Sequence, residues 1–97
     1  MKTQFYLLLS LKTHKGFETY GQYFLGNDGE EALVIFQQLQ GSQDIHDPAL
    51  LHIDLMEVAD ELPVSIKTIC CTLQQLSDNC KLITKEIFRL KNLDHKL

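Results

Sequence analysis

The sequence predicts an α+β domain made of two consecutive strand–strand–helix units, which form a four-stranded, mainly antiparallel sheet with both helices on one face. Three observations lead to this fold class. An apolar stripe with helical spacing fills the last third of the chain, a capped helix start lies at residues 27–30, and a pair of strand-like stretches precedes each helix. The halves share no visible sequence identity, so the repeat is one of pattern only.

The first hairpin is predicted from strands at 4–12 and 17–25, joined by a loop at 13–16. We pair Lys12 with Phe17 and count outwards. One face then carries Phe5, Leu7, Leu9 and Leu11 with Tyr20 and Phe24, and the other carries Tyr6, Leu8 and Thr19 with Tyr23. Both faces are apolar, which a sheet with one face in water does not require.

The first helix is predicted at 28–40. Asn27 can cap it, with Glu30 three residues later in the position of a capping box. Gly41 is predicted to end this helix, because glycine is favoured just after the last helical residue. Pro48 favours an extended chain after the polar loop.

The second hairpin is predicted from strands at 50–58 and 63–71. The segment 64–71 has an alternative, because Ile66 and Ile69 also extend the later helical stripe backwards. Its β-branched residues favour a strand.

Hairpin register supports the strand. Pairing Val58 with Pro63 sets Asp54 opposite Lys67 and His52 opposite Ile69, which gives an opposite-charge pair on one face and apolar pairs on the other.

The second helix is predicted at 72–93, where Thr72 and Gln75 form a capping box. Its stripe is Leu73, Leu76, Cys80, Ile83, Ile87 and Leu90. The predicted core draws on every element: Phe5, Leu7, Leu9, Phe24, Leu33, Phe36, Leu51, Ile53, Leu55, Ile66, Leu73, Leu76, Ile83 and Ile87.

Composition limits the classes of function. The 97 residues make one domain, and a net charge of −4 with scattered Lys and Arg disfavours nucleic acid. Three cysteines make no disulfide framework, so we expect a reduced, cytoplasmic setting. No run is long enough to span a membrane, and the apolar start lacks a cleavage site typical of export signals.

Candidate chemistry is sparse, and no motif implies a cofactor. Cys71 and His52 can share a sheet face as a thiol–imidazole pair, although free cysteines more often fill cores. His46, His52 and Asp54, with Asp44 and Asp47, can be imagined as metal ligands without a recognised spacing. The turn at 27–29 can hold an anion, but a plain helix cap explains it.

The sheet face away from the helices gives the main functional hypothesis. It collects six apolar side chains: Tyr6, Leu8, Phe17, Tyr23, Met56 and Ile69. Aromatic residues and Met are favoured in interface cores, so we expect a homodimer through this face, with Asp54 and Lys67 tuning the contact. A protein or small molecule is the other possible partner, and single strands of nucleic acid stacked on Tyr6 and Tyr23 are a further alternative.

The runs LLHIDLMEV at 50–58 and ELPVSIKTICCTLQQLSDNCKLITKEIFRL at 61–90 resemble small single-domain bacterial proteins of the Bacteroidetes type. The resemblance covers most of the chain. Those proteins have no assigned function, so the resemblance implies no activity, ligand or site residue.

Overall fold

The computed structural model describes residues 3–44 and 50–91 and has the predicted order of elements. The elements are β1 (Gln4–Thr13), β2 (Gly16–Gly26), α1 (Gly29–Gln37), β3 (Leu51–Ala59), β4 (Leu62–Cys71) and α2 (Leu73–Leu90). The strands form one antiparallel sheet in the order β2-β1-β3-β4. The predicted α+β fold of two strand–strand–helix units is confirmed.

Two tight turns close the hairpins. In the first, Thr13 pairs with Gly16, whose φ of +104° suits glycine. In the second, Asp60 and Glu61 have φ of 56° and 66°, and a pair of positive values gives the twist that a two-residue hairpin needs. The segment 64–71 is therefore a strand, as predicted.

The cap at the start of α2 agrees with the prediction, and the cap at the start of α1 differs from it. At α2, Thr72 and Gln75 form the predicted capping box. At α1 the cap is Asp28 rather than Asn27, because its carboxylate accepts the N–H groups of Glu30 and Glu31. This helix also ends at Gln37, so Gly41 has another role: a Cβ there would lie 2.7 Å from the Cys70 carbonyl oxygen.

A single core lies between the helices and one sheet face. Seven predicted core residues are buried: Phe5, Leu7, Leu9, Phe36, Ile53, Leu55 and Ile83. Leu33, Leu76 and Ile87 pack against this core, and Leu51 is half-buried. Phe24, Ile66 and Leu73 are exposed, and the prediction missed Leu25, Ile35 and Ile69.

Extra residues in two strands explain most of these differences. Tyr20 and Leu25 have no partner across β1, and Ile66 has none across β3. Each is a β-bulge, and each shifts every pairing beyond it by one residue. The uniform registers predicted from the sequence hold only from each turn to the first bulge.

A buried amide joins the two helical segments. Asn79 on α2 is 1% exposed; its Oδ1 accepts the Gln40 N–H and its Nδ2 donates to the Gln40 C=O, each at 2.8 Å. At the opposite end of the pair, Arg89 contacts Glu31. The helices therefore run antiparallel, and the chain after α1 is tied to α2.

We predict that Asn79→Leu lowers the free energy of unfolding by about 1–3 kcal/mol, because it leaves the Gln40 backbone groups without their buried partner. Urea denaturation followed by circular dichroism measures the change. Lys85→Leu, at an exposed position of the same helix, serves as the control and should change stability by less than about 0.5 kcal/mol. Equal stability of Asn79→Leu and the parent would contradict the role given to this amide.

Candidate functional site on the open sheet face

The sheet face opposite the helices is called the open face. Alternation along the paired strands places seventeen residues on it: Gln4, Tyr6, Leu8, Ser10, Lys12, Phe17, Thr19, Gln22, Phe24, His52, Asp54, Met56, Val58, Pro63, Ser65, Thr68 and Cys70. The described helices pack on the other side, where the core lies.

An apolar cluster occupies one end of the open face. Tyr6 pairs with Phe24 on β2 and with Met56 on β3, and Leu8 is the next residue of β1 on this side. The Tyr6 and Phe24 rings are 5.9 Å apart between centroids, and Phe24 is 60% exposed. A large aromatic side chain thus faces solvent beside a second ring, a geometry that favours contact with another apolar surface.

The other end is built around His52. The Phe17 ring lies 4.5 Å from the imidazole between centroids, and Ser10 beside it is buried. The Nε2 atom of His52 is buried with no hydrogen-bond partner. Phe17 therefore contributes to both the apolar surface and the cover of the imidazole.

Asp54 has different partners from those predicted. The bulge at Ile66 sets Asp54 opposite Thr68, and the hydroxyl groups of Ser65 and Thr68 both donate to its Oδ1, the former at 2.9 Å. Lys67 pairs with Leu55 and so belongs to the side of the sheet that carries the helices. The predicted Asp54–Lys67 pair is wrong, because one extra residue exchanges the faces.

The same bulge separates Cys71 from His52. Cys70 lies opposite His52, whereas Cys71 lies opposite Leu51 and packs against the core. Burial, with smaller effects of the thiols of Cys70 and Cys80, raises the pKa of the Cys71 thiol. The prediction that Cys71 and His52 share a face is therefore wrong, and Cys71 is held as a neutral thiol at pH 7.

Cys70 takes the place beside His52 but is engaged elsewhere. Its Sγ donates to the carbonyl oxygens of Ser42 and Asp44, each at 3.6 Å. A nucleophilic thiol would instead need to give its proton to a base. The contacts favour a structural role for this side chain.

Four of the six predicted interface residues lie on the open face: Tyr6, Leu8, Phe17 and Met56. Tyr23 and Ile69 do not. The bulge at Tyr20 sets Tyr23 opposite Leu7, where the Tyr23 hydroxyl lies 4.0 Å from the Cys80 Sγ, and burial raises the pKa of Tyr23. Ile69 is in the core.

Phe24, which the sequence placed with the core, replaces Tyr23 on the open face. One signal pointed to the irregularity: Gly21 stands inside the strand next to the bulged Tyr20, and an isolated glycine within a strand often marks a bulge.

Other hypotheses find less support. His46 and Asp47 lie outside the described residues, and within 3–44 and 50–91 no three His, Cys, Asp or Glu side chains are placed to hold a metal ion. At the 27–29 turn, which was considered as an anion site, the Asp28 carboxylate already accepts hydrogen bonds from two N–H groups of α1. The helices of the described chain include none that is long and apolar enough to cross a membrane.

Comparisons with protein-family models, with curated proteins and with solved structures give no match.

We predict that iodoacetamide alkylates Cys71 more slowly in the folded protein than in the urea-unfolded chain at pH 7.5, because the raised pKa reduces the thiolate fraction. The two alkylation rates should become more similar as the pH rises above the ordinary thiol pKa near 8.5. The folded state also holds this proton more tightly, so the contribution of Cys71 to stability is present below that pH and is lost as the pH rises.

Mass spectrometry of the cysteine peptides measures each rate, with Cys80 read in the same digest as an internal comparison. Faster alkylation of Cys71 in the folded state would indicate an activated thiol and would contradict the packing role.

Proposed function

We propose that this chain is a small cytoplasmic interaction module that forms a two-fold homodimer through the open face. The observation that carries the proposal is the apolar cluster of Tyr6, Leu8, Phe24 and Met56, extended by Phe17, on a sheet face that the described helices do not cover. Three free cysteines fit a reducing compartment. A bacterial origin remains a prediction from the resemblance.

The charge of the open face supports this role. The chain has nine Lys and Arg and thirteen Asp and Glu residues, yet among the seventeen described residues of this face only Lys12 and Asp54 are charged. The Asp54 carboxylate is also bonded to two hydroxyl groups. Interface cores are likewise poor in charge and rich in aromatic residues and Met.

The sheet edges favour contact through the face rather than strand addition. On β4, Pro63 lacks an N–H, Ile66 forms a bulge, and Ser42 occupies the outer side of Cys70 through two backbone hydrogen bonds of 2.8 and 2.9 Å. The other edge strand, β2, contains two bulges. Prolines and bulges at edges are common devices against edge-to-edge pairing.

The size of the face sets the expected strength. Four strands spaced about 4.8 Å apart, each with about nine residues rising 3.3 Å, give a face of roughly 20 by 30 Å. Two such faces would bury about 1,200 Å² in total, the lower limit for a stable interface. We therefore expect a reversible dimer, because the free energy gained by burying so small a face only slightly exceeds the cost of association.

We predict that Phe24→Glu converts the dimer to a monomer, because it puts an unpaired charge into the apolar cluster that forms the contact. Light scattering coupled to size-exclusion chromatography over a range of protein concentrations measures the mass. Val34→Glu, at a half-exposed apolar position of α1, makes the same type of change away from the open face and should remain dimeric.

Circular dichroism should show both variants folded, since both positions are exposed. A parent protein that is monomeric at high micromolar concentration, or a Phe24→Glu variant that stays dimeric, would overturn the proposal.

A further inference from the structure

The imidazole of His52 holds a polar atom of the open face away from water. Its Nε2 is buried and makes no hydrogen bond within the described residues, and the Phe17 ring lies beside it at 4.5 Å between centroids. A neutral imidazole has one N–H group, whereas the protonated ring has two N–H groups and a positive charge. A partner that covers Phe17 would also close this ring off from solvent.

Few charged groups share the open face with His52. Lys12 of β1, Asp54 of β3 and the thiol of Cys70 on β4 lie on it, whereas the open-face residues of β2 are uncharged. From the chain after α1, Asp44 adjoins this end of the face, because its C=O accepts the Cys70 thiol. Lys12 and Asp44 each have an interaction within the chain, and Asp54 accepts two hydroxyl groups. The Nε2 is hydrogen-bonded to none of these groups.

A two-fold contact doubles every charge of the open face, since each copy presents the same residues to the other. While His52 is neutral, the Lys12 ammonium and the Asp54 carboxylate cancel, so the described face carries no net charge. A proton on His52 gives each copy one positive charge in excess. Like charges that meet across an apolar contact repel each other, and a charge that loses its water there is costly.

The charge of the whole chain acts in the opposite direction. The net charge is −4 at neutral pH and the pI is near 5.4, so two copies repel each other less as the pH falls towards that value. A dimer governed by overall charge alone would therefore become tighter on mild acidification. A dimer that becomes weaker indicates a positive charge created inside the contact.

We propose that protonation of His52 dissociates the homodimer, which makes the open face a pH-sensitive contact. This inference rests on the dimer of the proposed function and concerns its regulation. Histidine is the side chain that ordinarily changes charge between pH 5 and pH 8. The separated chains bind this proton more readily than the dimer does, so the dimer is favoured above this range and is lost as the pH falls through it.

Sedimentation equilibrium of the full chain at pH 8 and at pH 6 tests the proposal, and both values lie above the pI. We expect the dissociation constant of the parent dimer to rise by at least about ten-fold from pH 8 to pH 6, because a like charge is added to both sides of the contact. Circular dichroism should show the same folded chain at both pH values, so that a change in mass reports association.

His52→Phe removes the titrating ring and keeps an aromatic side chain beside Phe17. This variant should dimerise at pH 8 and should not weaken at pH 6. His52→Gln, with a smaller neutral side chain, should behave in the same way and decides the test if the larger ring disturbs folding. The matched control is His14→Gln, which removes an exposed histidine of the first turn and should weaken at pH 6 as the parent does.

A parent dimer that is equally strong or stronger at pH 6, or a folded His52 variant that weakens as much as the parent, would overturn the proposal and leave the dimer itself in place. A parent that is monomeric at pH 8 would instead contradict the proposed function, and this inference with it.

Discussion

The hydrogen bonds between Asn79 and Gln40 are the interaction on which the arrangement of layers depends. They fix α2 to the chain that leaves α1, at a position where water is excluded from the amide. With Arg89 and Glu31 in contact at the other end, the helices are held side by side over one sheet face. Both helices therefore pack on the same core, and the described residues leave the opposite face of the sheet uncovered.

The β-bulges determine which side chains lie on the open face. The bulge at Tyr20 brings Phe24 beside Tyr6 and sends Tyr23 towards α2, and the bulge of β4 brings Cys70 beside His52. The same irregularities interrupt the two edge strands, where added twist hinders pairing with another sheet. The β-bulges thus make the open face more apolar and make the edge strands less able to pair with another sheet.

In the described part of the chain, the cysteine and histidine side chains are held by packing and by backbone contacts. Cys71 is packed as a neutral thiol, Cys70 donates to backbone carbonyls, and the Nε2 of His52 is covered. Within residues 3–44 and 50–91, no thiol is placed to give its proton to an imidazole, as nucleophilic activation by a histidine requires. The open face, by contrast, is apolar and carries little charge.

The sequence by itself determined the elements, their order and their closest turns. Thr72 caps α2 through Gln75 three residues away, and Val58 pairs with Pro63 across a tight turn, so neighbours in the chain decide both features. Tertiary structure decided which side chains face outwards and that the polar Asn79 belongs to the core. A bulge is set by the twist of strands distant in sequence, and one unpaired residue reverses the faces of all that follow it, so residue alternation alone could not place Phe24, Tyr23 or Cys71.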